Sequence, residues 1–363
     1  MATTPVPADR GGPEAASRGA RAAWTAVGLV LALAAVGIWV GREVQTEFRN
    51  SYATVAAHER TYPGPIHRVV VEVATGTVDI ERGPGHTTVV DTTGTRASRS
   101  PTDDEHLVGS TLYLRSSCGR TDTQYCSRNY RVEVPASVSL DATVETGNLI
   151  VARLHGGVRA SVGSGNVWVT KVIGSVDVAS QSGSVVVRQA EGPVTVSAGT
   201  GGVVLSRTRG PLDVRSAYGG VSISGATSSV RVSSGTGNVV ATGLTGGTVS
   251  ATVTSGSIEL GFTADPHDVE ATTQTGNVSV HVPYDNTRYR VDAKRGTGGI
   301  VASEIPNDPK STRVLRAITA NGSVVVGVGA VVATPSELPT MPTSPTTPTS
   351  PTRPTTKPAI PGG

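Results

Sequence analysis

Large rings are scarce in this chain of 363 residues, which holds 2 Phe, 3 Trp and 8 Tyr. Methionine and cysteine are equally rare, at 2 each. A core without rings must be narrow, so small branched aliphatics have to fill it. Strong charge is also missing: the formal net charge is +3, with no dense basic patch and no platform of aromatics. That pair of absences excludes nucleic-acid binding. The 7 histidines are scattered, no Cys-x-x-Cys occurs, and no glycine is followed by Lys-Ser/Thr. Metal, redox and phosphate-loop chemistry therefore have no motif to stand on, and no cofactor is implied. What the chain has in excess is 44 Gly and 23 Pro among abundant Val, Ser and Thr, the mixture of many short strands joined by tight turns.

One long apolar run is present. Ala22 to Gly41 carries no charge and is bracketed by Arg21 and Arg42, with Trp24 and Trp39 near its ends. As a helix it spans about 30 Å, enough for a bilayer core, with the rings at the headgroup levels. A cleaved signal peptide is the alternative, but the run is long for one and no small-x-small site follows in Arg42–Phe48. Arg10, Arg18 and Arg21 precede the run, against Arg42 and Arg49 after it. The balance orients a single-pass protein with a cytoplasmic tail (1–21), a transmembrane helix (22–41), a linker (42–65) and the remainder extracytoplasmic. On that side Cys118 and Cys126 close a short loop as a structural disulfide, a redox or metal-ligand pair being the other reading.

A repeat sets the fold. The unit Ser/Thr-Gly-Asn/Ser/Gly-Val-x-Val places its glycine at 147, 165, 183, 201, 219 and 237, then at 256, 276, 298 and 322 with widening intervals. Gly76 looks like an outlying copy. Aliphatic columns stand two and four residues after each glycine and seven before it, as in Val167, Val169 and Val158. Alternation of period two makes these strands, and the constant spacing of 18 stacks like on like. A second turn follows nine residues on, at Gly156, Gly174, Gly192, Gly210 and Gly246. These features predict an all-β, single-stranded parallel β-solenoid over 136–327, about 50 Å long, with a right-handed crossover. The column Asn148, Asn166, Asn238 and Asn277 is expected to form a corner ladder in left-handed backbone. Left-handed hexapeptide coils are excluded, because the aliphatic positions do not fall every six residues. Residues 66–135 read as a β cap, with strands over 66–73 and 77–81 and a hairpin of Thr111–Arg115 and Asn129–Val134 whose loop carries the cysteines. The Pro/Thr-rich tract of 333–363 cannot build a core and reads as an extended tail. Its Leu338-Pro339-Thr340 lacks the full wall-sorting signal Leu-Pro-x-Thr-Gly.

Tyr130-Arg131-Val132-Glu133-Val134-Pro135, followed by the Gly-Asn/Ser-Val-x-Val units, resembles the bacterial putative-adhesin domain family over roughly 66–327. The resemblance implies this architecture behind a membrane anchor, no catalytic residues, and no defined biochemical activity.

The outward columns were then searched for chemistry. Six before each glycine stand Asp141, Arg159, Asp177, Thr195, Asp213 and Arg231, in which opposite charges adjoin. An inverting glycosidase could use Asp141 and Asp177, about 9.6 Å apart, yet Arg159 between them favours two ionised carboxylates and leaves no acid. Three after each glycine a different stripe appears: Ile150, Trp168, Val186, Val204 and Val240, with Ser222 interrupting. Parity turns these outward, where an apolar stripe marks a candidate surface for a partner, a glycan or a second copy. The competing readings are that Val simply suits strands, or that a terminal segment covers the stripe. The functional expectation is a membrane-anchored, adhesin-like binding or scaffolding module and not an enzyme. A structural or regulatory envelope protein is the alternative, and a carbohydrate-active β-helix the minor one.

Overall fold

The computed structural model describes residues 53–96, 101–118, 126–245, 247–299 and 301–329. The apolar run 22–41, the tail 333–363 and Gly246 lie outside the described residues. Among those described, every regular element is a strand, and no helix is long and apolar enough to cross a membrane.

Two sheets, A of 14 strands and B of 13, face each other and enclose the core. Each coil contributes a strand to B, turns at its glycine, and contributes a strand to A. In the Gly165 coil these are Val158–Ser164 and Val167–Ile173. The 18-residue register is met at every central step: Val158 pairs with Leu140 and Val176, and Trp168 with Ile150 and Val186. Setting aside three antiparallel edge strands, Ala53–Tyr62 and Thr88–Arg96 in A and Thr102–Val108 in B, twelve parallel rungs remain in each sheet. No single coil can cover both faces of its aliphatic side chains, so stability comes from the stack.

The corner glycines are required by geometry. Gly165 has φ 140°, and a Cβ there would collide with the carbonyl oxygen of Gly147, the corner one rung below. The asparagine column works differently from expectation. Its members do not adopt left-handed backbone; instead Asn148 Oδ1 accepts from the Asn166 N–H at 3.0 Å, and Asn166 Oδ1 from the Ser184 N–H at 2.9 Å. Thr77 N–H donates likewise to Asn129.

Both ends depart from chain order. The Gly76 strands, Arg68–Thr75 and Val78–Arg82, are no outlier but a full rung beside Ser139–Thr146 and Leu149–Ala152. On their far side lie Thr111–Ser117 and Ser127–Val134. The expected hairpin between those last two does not form, because one belongs to sheet B and the other to A. Thr111–Ser117 instead makes its hairpin with Thr102–Val108. The Cys118–Cys126 bridge joins the end of Thr111–Ser117 to the start of Ser127–Val134 between the sheets, Cα to Cα 5.9 Å. At the opposite end the last coil, Val314–Asn321 and Val324–Val328, inserts inside the preceding one, Arg290–Thr297 and Val301–Ser303, which becomes the outermost rung. The widened glycine intervals reflect this crossover. Residues 53–62, taken above as linker, form an edge strand of sheet A.

Candidate functional site

Sheet B's outer face carries the charged ladder in the expected register, with Asp141, Arg159 and Asp177 on successive rungs. Each carboxylate of the glycosidase reading is held by an arginine: Asp141 by Arg68 at 2.7 Å and Asp177 by Arg159 at 3.6 Å. Out-of-order insertion places Arg316 between Glu270 and Asp292, and it ion-pairs with both, at 3.6 and 3.5 Å. A shallow groove of about 260 Å³ on this face is lined by Pro193, Thr195, Pro211, Asp213, Arg231 and Ser250, among others. Asp213 is engaged by Arg215 at 2.8 Å. The described residues contain no group of three or more His, Cys, Asp or Glu placed to hold a metal ion.

At the N-terminal mouth of the core, charged groups replace aliphatics. Arg128, almost wholly buried, ion-pairs with Asp103 across the two sheets, while its Nε and Nη1 have no partner. Burial pushes the Asp103 carboxyl above its ordinary value against the opposing pull of Arg128. Beside it Glu105 receives Tyr62 Oη at 3.4 Å and Thr92 Oγ1 at 3.3 Å. This network closes the open end of the core.

Sheet A's outer face holds the apolar stripe. Ladder pairing brings Ile150, Trp168, Val186 and Val204 onto consecutive rungs, with Val240 two further on beyond Ser222. The expectation that all five are open to solvent is corrected. Ile150, Trp168 and Val186 are 9, 4 and 1% exposed and form a second cluster separate from the inter-sheet core. Val204 packs against that cluster and, like Val240, is half-buried. The indole N–H of Trp168 is buried without a hydrogen-bond partner. On the N-terminal side the column continues into Asp79, paired in register with Ile150 and with Arg131. Burial pushes the Asp79 carboxyl upward, Glu81 adds to the shift, and Arg131 and Arg153 oppose it.

Beside the stripe runs a feature that the repeat did not disclose. Six residues after the corner glycine of the six evenly spaced coils, Gly147 to Gly237, the backbone is left-handed: Arg153 (φ 60°), Lys171 (56°), Gln189 (55°), Arg207 (53°), Gly225 (67°) and Gly243 (64°). This residue shifts the in–out parity, so the next one points inward and adds a core column of Leu154, Val172, Ala190, Thr208, Ala226 and Leu244. Glycine fills the position in two coils, as its geometry favours. In four others a long polar side chain occupies it, at a cost of about 1–2 kcal/mol each, and all four are exposed. Arg153 is tied to Glu81 at 2.5 Å. The only sequence signal was the pair of glycines at 225 and 243, which share one offset from Gly219 and Gly237.

A two-sheet stack of parallel coils with glycine corners, an ion-paired ladder on one face and an apolar stripe with a strained polar border on the other defines a repeat-built β-solenoid. Residues 67–330 match the family Toastrack DUF4097, and the chain belongs to that family. No curated protein matches it. Among solved structures, a putative adhesin from Parabacteroides merdae ATCC 43184 is 11% identical, covering 74% of this chain and 95% of its own, with a TM-score of 0.36. A putative lipid binding protein from Parabacteroides distasonis ATCC 8503 is 14% identical, with coverage of 74% and 96% and a TM-score of 0.32. A putative cell adhesion protein from Clostridium sporogenes ATCC 15579 is 9% identical, with coverage of 76% and 100% and a TM-score of 0.24. These superpositions are too loose to bear on function.

Proposed function

We propose that this chain is a membrane-anchored, extracytoplasmic binding and scaffolding module of the adhesin type, without enzymatic activity, which meets its partner through the outer face of sheet A. The observation that carries this reading is the left-handed column. Arg153, Lys171, Gln189 and Arg207 occupy positions where glycine would be easier, directly beside the apolar stripe. Strained backbone retained in four successive coils is explained by what those side chains do, since none of the four is needed to fill the core. The exposed Arg153, Lys171 and Arg207 of this column suit a cell-surface or envelope partner that offers negative charge. The uncharged run Ala22–Gly41 supplies the anchor and the Arg distribution around it the orientation, with the solenoid outside the cell.

The alternative, a structural or regulatory envelope protein, draws support from sheet B, whose charged ladder is largely satisfied by its own neighbours. Binding to purified wall glycan, lipid and surface-protein fractions, measured with the full chain in nanodiscs, separates the two. Saturable, salt-sensitive binding to one fraction supports the module. Absence of binding to all three, with the solenoid intact by circular dichroism, supports the structural reading.

A further inference from the structure

Cationic side chains along the outer side of sheet A fall into two groups. At the margins of the left-handed column they are neutralised: Glu81 holds Arg131 at 2.8 Å and Arg153 at 2.5 Å, and Glu191 holds Arg209 at 2.6 Å. Inside those margins stand Lys171, Arg188 and Arg207, and among the described residues none of them has a carboxylate partner. Their placement is close. Ladder pairing sets Thr170, Arg188 and Ser206 side by side on consecutive rungs, about 4.8 Å apart, and Lys171 and Arg207 directly follow the first and the last. Val187 and Ala190 are both in the core, so Arg188 and Gln189 between them lie on the outer side. The middle rung thus offers a guanidinium and an amide, with one further cation on the rung to either side.

We propose that Lys171, Arg188, Gln189 and Arg207 form a recognition site for a phosphate group carried on a soluble envelope polymer, one whose polyol units are joined by phosphodiesters. The site rests on the sheet A partner reading above and names the chemistry of that partner.

Charge, donor geometry and extent each favour this ligand. Like charges on neighbouring rungs repel, and an anion seated among them removes the repulsion. Two of the cations, Lys171 and Arg207, are held there on left-handed backbone, at φ 56° and 53°. Guanidinium and ammonium groups only donate hydrogen bonds, and the Gln189 amide adds two more N–H groups. A tetrahedral phosphate presents oxygens that donors on three rungs can reach from different sides. A carboxylate presents two coplanar oxygens, which a single arginine fork satisfies. The uncompensated charge is also confined: Glu81 and Glu191 border it, and Glu259 stands further along the same face beside Val240. An anionic bilayer would lie against those carboxylates as well, whereas a single chain touches only the strip between them.

The test uses the full chain in phosphatidylcholine nanodiscs, with poly(glycerol phosphate) as the probe and polyglutamate as the carboxylate control. Saturable, salt-sensitive binding of the phosphate polymer is expected, in preference to polyglutamate. Lys171→Gln with Arg207→Gln removes charge without a new backbone demand, because Gln189 already occupies the same left-handed position in the coil between them. That double variant, and Arg188→Gln by itself, should each weaken binding about tenfold or more. Arg209→Gln, whose guanidinium is already held by Glu191, should leave it unchanged. Equal loss from Arg209→Gln would mean unspecific attraction to a basic surface and overturns the site. So does equal binding of polyglutamate, or binding of phosphatidylglycerol vesicles without binding of the soluble polymer. A native chain that captures a wall, lipid or surface-protein fraction but ignores the phosphate polymer keeps its partner reading and loses the phosphate assignment.

Discussion

Single residues of this solenoid are judged by what the neighbouring rung places against them. Ser180 sits in a core column whose adjacent members are Val162 and Ala198, and its hydroxyl is buried with no partner. A buried hydroxyl without a hydrogen bond is a net cost, so Ser180→Ala is expected to raise stability by about 1 kcal/mol in urea unfolding. Asp79 carries a different strain. Its carboxyl is raised by burial, so the folded state holds the proton more tightly than the unfolded one. The resulting stabilisation is full below the ordinary aspartate range, near about pH 4, and is lost as pH rises through the elevated folded value. Asp79→Asn is therefore expected to be more stable than the native chain at pH 7, with the gap closing as the medium is acidified. A gap that instead widened in acid would mean that Arg131 and Arg153 outweigh the burial.

Elements are set by their corners. At Gly165 the backbone has φ 140° and abuts the Gly147 carbonyl, so Gly165→Ala is expected to cost at least about 3 kcal/mol, read as a fall in the unfolding midpoint. The Cys118–Cys126 bridge ties the end of Thr111–Ser117 in sheet B to the start of Ser127–Val134 in sheet A. Replacing both with serine is expected to lower stability by about 2–3 kcal/mol and to raise hydrogen exchange first in Thr111–Ser117 and Ser127–Val134. The central coils were legible in the sequence because their spacing and parity repeat without insertion: Val158, Val167 and Val169 pair as their columns require. The ends were not, because coil order there is decided by which edge a strand covers, and Val314–Asn321 carries no local mark of inserting ahead of Arg290–Thr297. The left-handed column was missed for a related reason. Period-two alternation assumes extended backbone, and one residue such as Lys171 at φ 56° resets the parity. Stripe membership was readable from spacing, whereas its burial was not.

As a whole, the molecule is a stack with two unlike faces and two unlike ends. Edge strands and the pair of buried Arg128 with Asp103 close the N-terminal mouth, and at the other end the exchanged coil order makes Arg290–Thr297 and Val301–Ser303 the outermost rung, with Val291 and Ala293 partly covered. Sheet B's charged ladder is largely satisfied by its own charge pairs. Sheet A keeps exposed polar side chains on strained backbone, the arrangement expected where stability has been yielded for recognition. That trade is the central claim, and one paired measurement on Lys171→Gly with Arg207→Gly addresses it. Relief of two left-handed side chains, less the extra chain entropy of glycine, should stabilise the fold by about 0.5–1 kcal/mol per site. The same double variant, assayed for envelope binding in nanodiscs, should lose affinity about tenfold or more. Higher stability together with lost binding is the predicted result; higher stability with binding unchanged would contradict the account and leave the column without a role in recognition.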